Sequence, residues 1–381
     1  MNIRLCKVSQ TSVSRGVAAA IGASALLWAL WALWALWALW ALWALWAGVV
    51  SAGAAPSPPP VPLVPLVTTH VAAVSAPMTN TPASATNAVT QCPVGTKLVG
   101  GGIRVGKASP TDTTTPTNGL KVNGTYPSDV SATPLAHHAI DPSFWTAAGG
   151  FATQSEAGDQ VTSFAVCASV GPVGSVDRVV EVASIQGPTA AETTASATAT
   201  CPKGTTLVGG GALGTPANSP SFKPVGSYPS NDSGTMLTNG APNPPSWTVI
   251  GSAGGTANPA NVTTAFAVCS KPLLPILPLL QTAVVRVDAP GPTAASTFTT
   301  VPATCTRTRL LSGGVNVDNP TGELQSGVHL RGSYPSDTTG NPVSNGAVNP
   351  TTWTGLVQVG GTPAPGTVTH TFAVCARLAV L

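Results

Sequence analysis

The chain has 381 residues, of which only 8% are Asp, Glu, Lys or Arg while 43% are apolar, so its surface is poor in charge and its composition argues against wholesale disorder. The formal charge of +3 comes from Arg4, Lys7 and Arg15 at the N-terminus, and the remainder balances 13 basic against 13 acidic residues. A neutral chain has no electrostatic footprint for nucleic acid, which excludes that partner class.

After those three cations, residues 17–50 carry no charge and centre on a Trp-Ala-Leu repeat running from Trp28 to Trp46. A step of three residues turns about 300° on a helix, so the indoles spiral round every face. An apolar helix of that kind belongs in a membrane. Positive residues before it keep the N-terminus inside and send the rest outward. Small-x-small cleavage sites follow, after Ala52 or Ala54. Residues 1–55 therefore read as a signal peptide or signal anchor, its membrane contact transient if cleaved, and residues 56–67 as a Pro-rich linker.

Beyond residue 68 one unit is written three times. Cys92-Pro-Val-Gly-Thr-Lys-Leu-Val-Gly-Gly-Gly102 matches Cys201-Pro-Lys-Gly-Thr-Thr-Leu-Val-Gly-Gly-Gly211, with a drifted third copy at Cys305–Val315. Each copy then has Gly-Thr/Ser-Tyr-Pro-Ser at Tyr126, Tyr228 and Tyr334, one Trp at Trp145, Trp247 and Trp353, and Phe-Ala-Val-Cys ending at Cys167, Cys269 and Cys375. Tyr to Trp is 19 residues and Trp to the second Cys is 22 in every copy, while the first Cys to Tyr is 34, 27 and 29. Fixed spacing marks packed, paired structure, and variable spacing marks a surface loop.

The local pattern is β throughout. Val262, Thr264, Phe266 and Val268 fall on one strand face, as do Val368, His370, Phe372 and Val374. Strands are also expected at 70–74, 178–183 and 284–287, before each first cysteine. The fold class is all-β: three tandem β-sandwich or small β-barrel units of about 100 residues, behind an apolar N-terminal helix. The expected boundaries are 68–170, 176–271 and 281–381, joined by linkers at 171–175 and 272–280. Six cysteines beyond the leader give an even set, and the simplest pairing is Cys92–Cys167, Cys201–Cys269 and Cys305–Cys375.

The search for chemistry returns little. His137-His138 with Asp141 is the one metal-like cluster, but Asn239-Gly240 and Asn345-Gly346 stand at the same distance before Trp, which makes it a turn position and gives the expectation of no metal. Gly100–Gly102 and Gly209–Gly211 lack the Lys-Ser/Thr of a phosphate loop and read as a bulge. Asp129 and Asp337 are matched by Asn231, so they form no acid–base pair, and no catalytic residues or cofactors are expected. Trp145, Trp247, Trp353, Phe164, Phe266 and Phe372 are expected in the core. Tyr126, Tyr228 and Tyr334, on a turn, are the candidate ligand-facing residues.

The motif set resembles the repeats of uncharacterised exported proteins of high-GC bacteria. The resemblance covers nearly everything after residue 68 and implies export without implying an activity. The expected function is that of an exported, non-enzymatic β-repeat protein at the cell surface or outside the cell, structural or adhesive, with a glycan or protein partner on its outer face. The alternatives are a multivalent carbohydrate-binding module, which needs exposed Tyr or Trp, and a secreted enzyme, which needs a constellation unique to one copy or built between copies.

Overall fold

The computed structural model describes residues 67–107, 119–152, 157–170, 177–217, 219, 221–255, 257–271, 280–319, 327–360 and 366–377. The expected N-terminal helix lies outside the described residues, as do the linkers, apart from Val67 and Leu280. Among the described residues no helix is long and apolar enough to cross a membrane.

The first copy supplies β1 (Val67–Pro77), β2 (Ala85–Gln91), β3 (Lys97–Lys107), β4 (Leu120–Ser128), β5 (Ala139–Ile140), β6 (Phe144–Phe151) and β7 (Asp159–Val170). The second supplies β8 (Arg178–Gln186), β9 (Thr194–Thr200), β10 (Thr206–Thr215), β11 (Phe222–Ser230), β12 (Ser246–Ala253) and β13 (Val262–Ser270). The third supplies β14 (Gln281–Pro290), β15 (Phe298–Thr304), β16 (Arg309–Asp318), β17 (Val328–Ser336), β18 (Thr352–Val359) and β19 (Val368–Arg377). The short Thr-rich strands β2, β9 and β15, just before each first cysteine, add to those the sequence suggests.

The copies do not keep their strands to themselves, which corrects the expectation of three self-contained units. The three sheets run β1-β7-β3-β17-β18-β15, β2-β6-β4-β10-β13-β8-β5 and β14-β19-β16-β11-β12-β9. Each copy therefore splits into two half-sheets, and each half-sheet joins one from a different copy. First meets second, second meets third, and third returns to first. All described residues belong to one compact unit.

The joins are short. Ile103 and Arg104 pair with Ser333 and Gly332, Ala212 and Leu213 with Thr125 and Gly124, and Val315 and Asn316 with Ser227 and Gly226. The strands β3, β10 and β16 also touch one another pairwise, as do β4, β11 and β17, so six strands surround a pseudo-threefold axis.

The glycine triplet makes this junction possible. A register shift between Leu98 and Gly100 recurs at Leu207/Gly209 and Leu310/Ser312, so the expected bulge is present. The residues after it have separate neighbours. A β carbon at Gly100 would meet Ser312 of the third copy, and one at Gly209 would meet Ser312 and the Val99 carbonyl, so these three positions converge near the axis. At Gly101, Gly210 and Gly313 it would enter the ring of Trp145, Trp247 or Trp353. At Gly102, Gly211 and Gly314 it would strike the carbonyl of Ser333, Thr125 or Ser227 in the neighbouring copy. The third copy's opening turn is one residue shorter, with Arg307 at φ 57° where Gly95 and Gly204 have φ 84° and 85°.

The disulfides join Cys92 to Cys167, Cys201 to Cys269 and Cys305 to Cys375, each with a Cα separation of 5.7 Å. The first cysteine of each pair follows a strand of one sheet and the second lies in a strand of another. The three bonds thereby staple the three sheets in a cycle. Each closes a loop of about 70 residues, worth about 4 kcal/mol in the chain-entropy account. Three disulfides are consistent with an extracellular or oxidising environment.

Candidate metal centre

The residues that the copies share are used in packing. Trp145, Trp247 and Trp353 are fully buried, and Phe164, Phe266 and Phe372 are buried as well. Each indole N–H donates to the hydroxyl one residue before the tyrosine: Thr125 at 2.7 Å, Ser227 at 2.9 Å and Ser333 at 2.8 Å. The serine after Tyr-Pro shares a hydrogen bond with the threonine after Trp, as in Ser128 with Thr146. These bonds account for the fixed distance between the two motifs.

The tyrosines depart from expectation. Tyr126, Tyr228 and Tyr334 are 3–4% exposed and lie inside strands. Tyr126 stacks on Phe266, Tyr228 on Phe372 and Tyr334 on Phe164, always across to the next copy. Each hydroxyl donates at 3.1 Å to a carbonyl six residues on, at Ala132, Gly234 and Gly340. They are therefore buried between copies and present no ligand-facing ring. The turn that suggested exposure begins only after Ser128. There Asp129 Oδ1 accepts the N–H groups of Ser131 and Thr133, a role that Asn231 and Asp337 repeat, so carboxylate and amide are interchangeable as acceptors.

At every junction a loop clasps the first strand of the next copy, and the junctions differ in the residues of that loop. In the second copy, Asn239 Oδ1 accepts the Arg286 N–H and Asn243 Oδ1 the Thr282 N–H. In the third, Asn345 accepts from Ala73 and Asn349 from Thr69, which brings the chain's last copy back onto β1. In the first, the same places are held by His137, whose Nδ1 lies 3.1 Å from the Val182 N–H, and Asp141, whose Oδ1 accepts from Arg178.

Asp141 does not join the histidines. It pairs with Lys97 at 2.8 Å. Burial alone would raise its pKa, but the Lys97 and Arg178 hydrogen bonds and charges outweigh this and hold it below the ordinary carboxylate range. Glu181 of β8 takes its place. His137 Nδ1 is 3.1 Å from Glu181 Oε2, and His138 Nδ1 is 3.2 Å from Oε2 and 3.3 Å from Oε1. The two imidazoles lie 3.7 Å apart between centroids and tilt by 32°. Their side chains are 53% and 67% exposed, while Glu181 beneath them is 3% exposed.

Among the described residues, this is the group of three whose ligand atoms all lie within 4.8 Å of one another. It is built between two copies, from a loop and a strand some 43 residues apart. Glu181 gave no signal by itself. Aligning the first strands of the copies by their pairing to Cys167, Cys269 and Cys375 would have marked it, because Ala72 and Val285 occupy its place elsewhere.

Two further polar groups stand on the strands, one reaching the surface at Asp288 and one buried. His370 bridges Asp288 at 2.8 Å and Asp318 at 3.0 Å, and Arg286 also bonds Asp288. Lys121, Lys223 and His329 hold the second position of β4, β11 and β17, and all three are buried. Burial, and secondarily Lys223, lowers Lys121 to about 7, and burial lowers Lys223 to about 8. No protein-family model matches the chain, and no curated protein matches it in sequence.

Proposed function

We propose that the chain is an exported, non-enzymatic structural or adhesive protein of the cell envelope or extracellular space. The observation that carries this reading is the use of the shared residues. The glycines after the bulge and the Trp, Tyr, Phe and Cys of all three copies serve the interior or the junctions between copies. Repetition has built a covalently stapled body. The basic, apolar leader and the disulfides support an address outside the cytoplasm.

The test combines location with attachment. Cells producing the full chain are treated with a membrane-impermeant amine label and the protein is mapped without reduction. The expected result is labelling on intact cells with the three bonds intact. Beads coated with the protein are then expected to attach to cell-wall or matrix surfaces more than beads coated with the reduced, alkylated chain. Retention in the cytoplasm with six free thiols would sink the proposal.

A further inference from the structure

The first-to-second junction departs from its two siblings in three side chains at once. His137-His138 facing Glu181 replaces Asn239-Gly240 facing Val285 and Asn345-Gly346 facing Ala72. His137 by itself is explained by the asparagine it replaces, since its Nδ1 reaches the same backbone N–H. The other two are not. His138 takes φ 65° where Gly240 and Gly346 both have φ 85°, a left-handed backbone conformation that is unfavourable for any residue with a side chain. Glu181 is a carboxylate nearly closed off from water, which is unfavourable without a positive partner. The ion-pair partners of its oxygens are the two imidazoles, which carry charge only when protonated.

We propose that His137, His138 and Glu181 form a binding site for a divalent first-row transition ion, with zinc as the reference. The ligand set is two imidazoles and one carboxylate, a combination that suits zinc, nickel or copper better than calcium or magnesium. The spacing fits. Ligands at about 2.0–2.1 Å from a tetrahedral zinc lie about 3.3 Å from one another. The separations between Glu181 oxygens and ring nitrogens are 3.1–3.3 Å. A dication supplies the charge that the buried carboxylate requires, and it needs no protonated histidine to do so. Exposed rings give the ion an entry path and leave its remaining positions to water. The Val182 N–H, half-buried at the edge, exchanges the His137 lone pair for water when the ion binds. The ion would then fasten the clasp loop of the first copy to the first strand of the second.

The test uses the full chain, stripped with EDTA and titrated with zinc chloride by calorimetry at pH 7.5. The expected result is one zinc per chain at this site. His137→Asn with His138→Gly writes the sequence of the sibling loops into the first copy, and Glu181→Val writes the third copy's residue into β8. Both variants carry side chains this backbone already accommodates, and thermal unfolding without metal checks that they fold. Each is expected to weaken zinc binding at least about tenfold and to abolish the zinc-dependent rise in melting temperature. No zinc uptake, or uptake unchanged in both folded variants, overturns the site.

Discussion

The ring of Tyr228 lies on that of Phe372, with centroids 5.6 Å apart and planes 26° from parallel, although 144 residues separate them. Its hydroxyl meanwhile turns back to Gly234 in its own copy. One side chain thus holds a local turn and a junction between copies.

Tyr228→Phe keeps the stacking and removes the hydroxyl, so it should cost about 1 kcal/mol. Tyr228→Ala also loses the stacked ring and should cost about 3–5 kcal/mol. Urea unfolding of both variants checks this. Equal losses would show that the stacked ring contributes nothing beyond its hydrogen bond.

Gly211→Ala should destabilise by about 3 kcal/mol or more, because the added carbon enters the Thr125 carbonyl of the neighbouring copy. Gly204→Ala is the control. Its added carbon meets nothing within 4 Å, and its cost is that of φ 85°, about 1–2 kcal/mol. A loss at Gly211 no larger than at Gly204 would mean that the sheets need no close crossing there.

His370 should give stability that fades at alkaline pH. Burial lowers its pKa, but the hydrogen bonds and charges of Asp318 and Asp288 outweigh burial and raise it overall. The folded protein then holds a proton that the unfolded chain releases above about 6.5. The contribution is complete below that value and is lost as pH rises through the folded pKa. Melting temperatures from pH 5 to 9 should show this slope in the parent and lack it in His370→Gln.

Lys121 should act in the opposite direction. With its folded pKa near 7 and an ordinary value near 10.5, the unfolded chain binds the extra proton between those limits. Stability from this group therefore rises with pH across that window, and below it the full cost of a buried charge applies. Lys121→Met should flatten the rise between pH 7 and 9.5. Parallel curves for parent and variant would show that the lysine is solvated in the folded state.

The strands, the disulfide positions and the burial of tryptophan were legible because they are local or fixed in spacing. The 19 residues from Tyr to Trp follow from the Thr125–Trp145 hydrogen bond and the pairing of β4 with β6, which lie within one copy. The exchange of half-sheets was not legible. It depends on contacts such as Gly102 against Ser333, between residues more than 200 positions apart, and two residue pairs per joining strand pair leave no periodic trace. The tyrosines were misread for a related reason. Pro127 suggests a turn, but the turn starts at Asp129, and what covers Tyr126 comes from the next copy. At the candidate metal centre the sequence offers the histidines and a plausible but wrong acid, Asp141. The acid that reaches them, Glu181, lies in an element that only the pairing brings near.

The return of the third copy to the first sets a condition on biogenesis. β17 is synthesised more than 200 residues after the β3 edge it covers. A nascent chain lacking its final third would expose that edge, along with the outer side of β11, to any other polypeptide in an extended state. Closure of the sheets therefore waits on the last strands to be synthesised, and pairings across so long a separation form late.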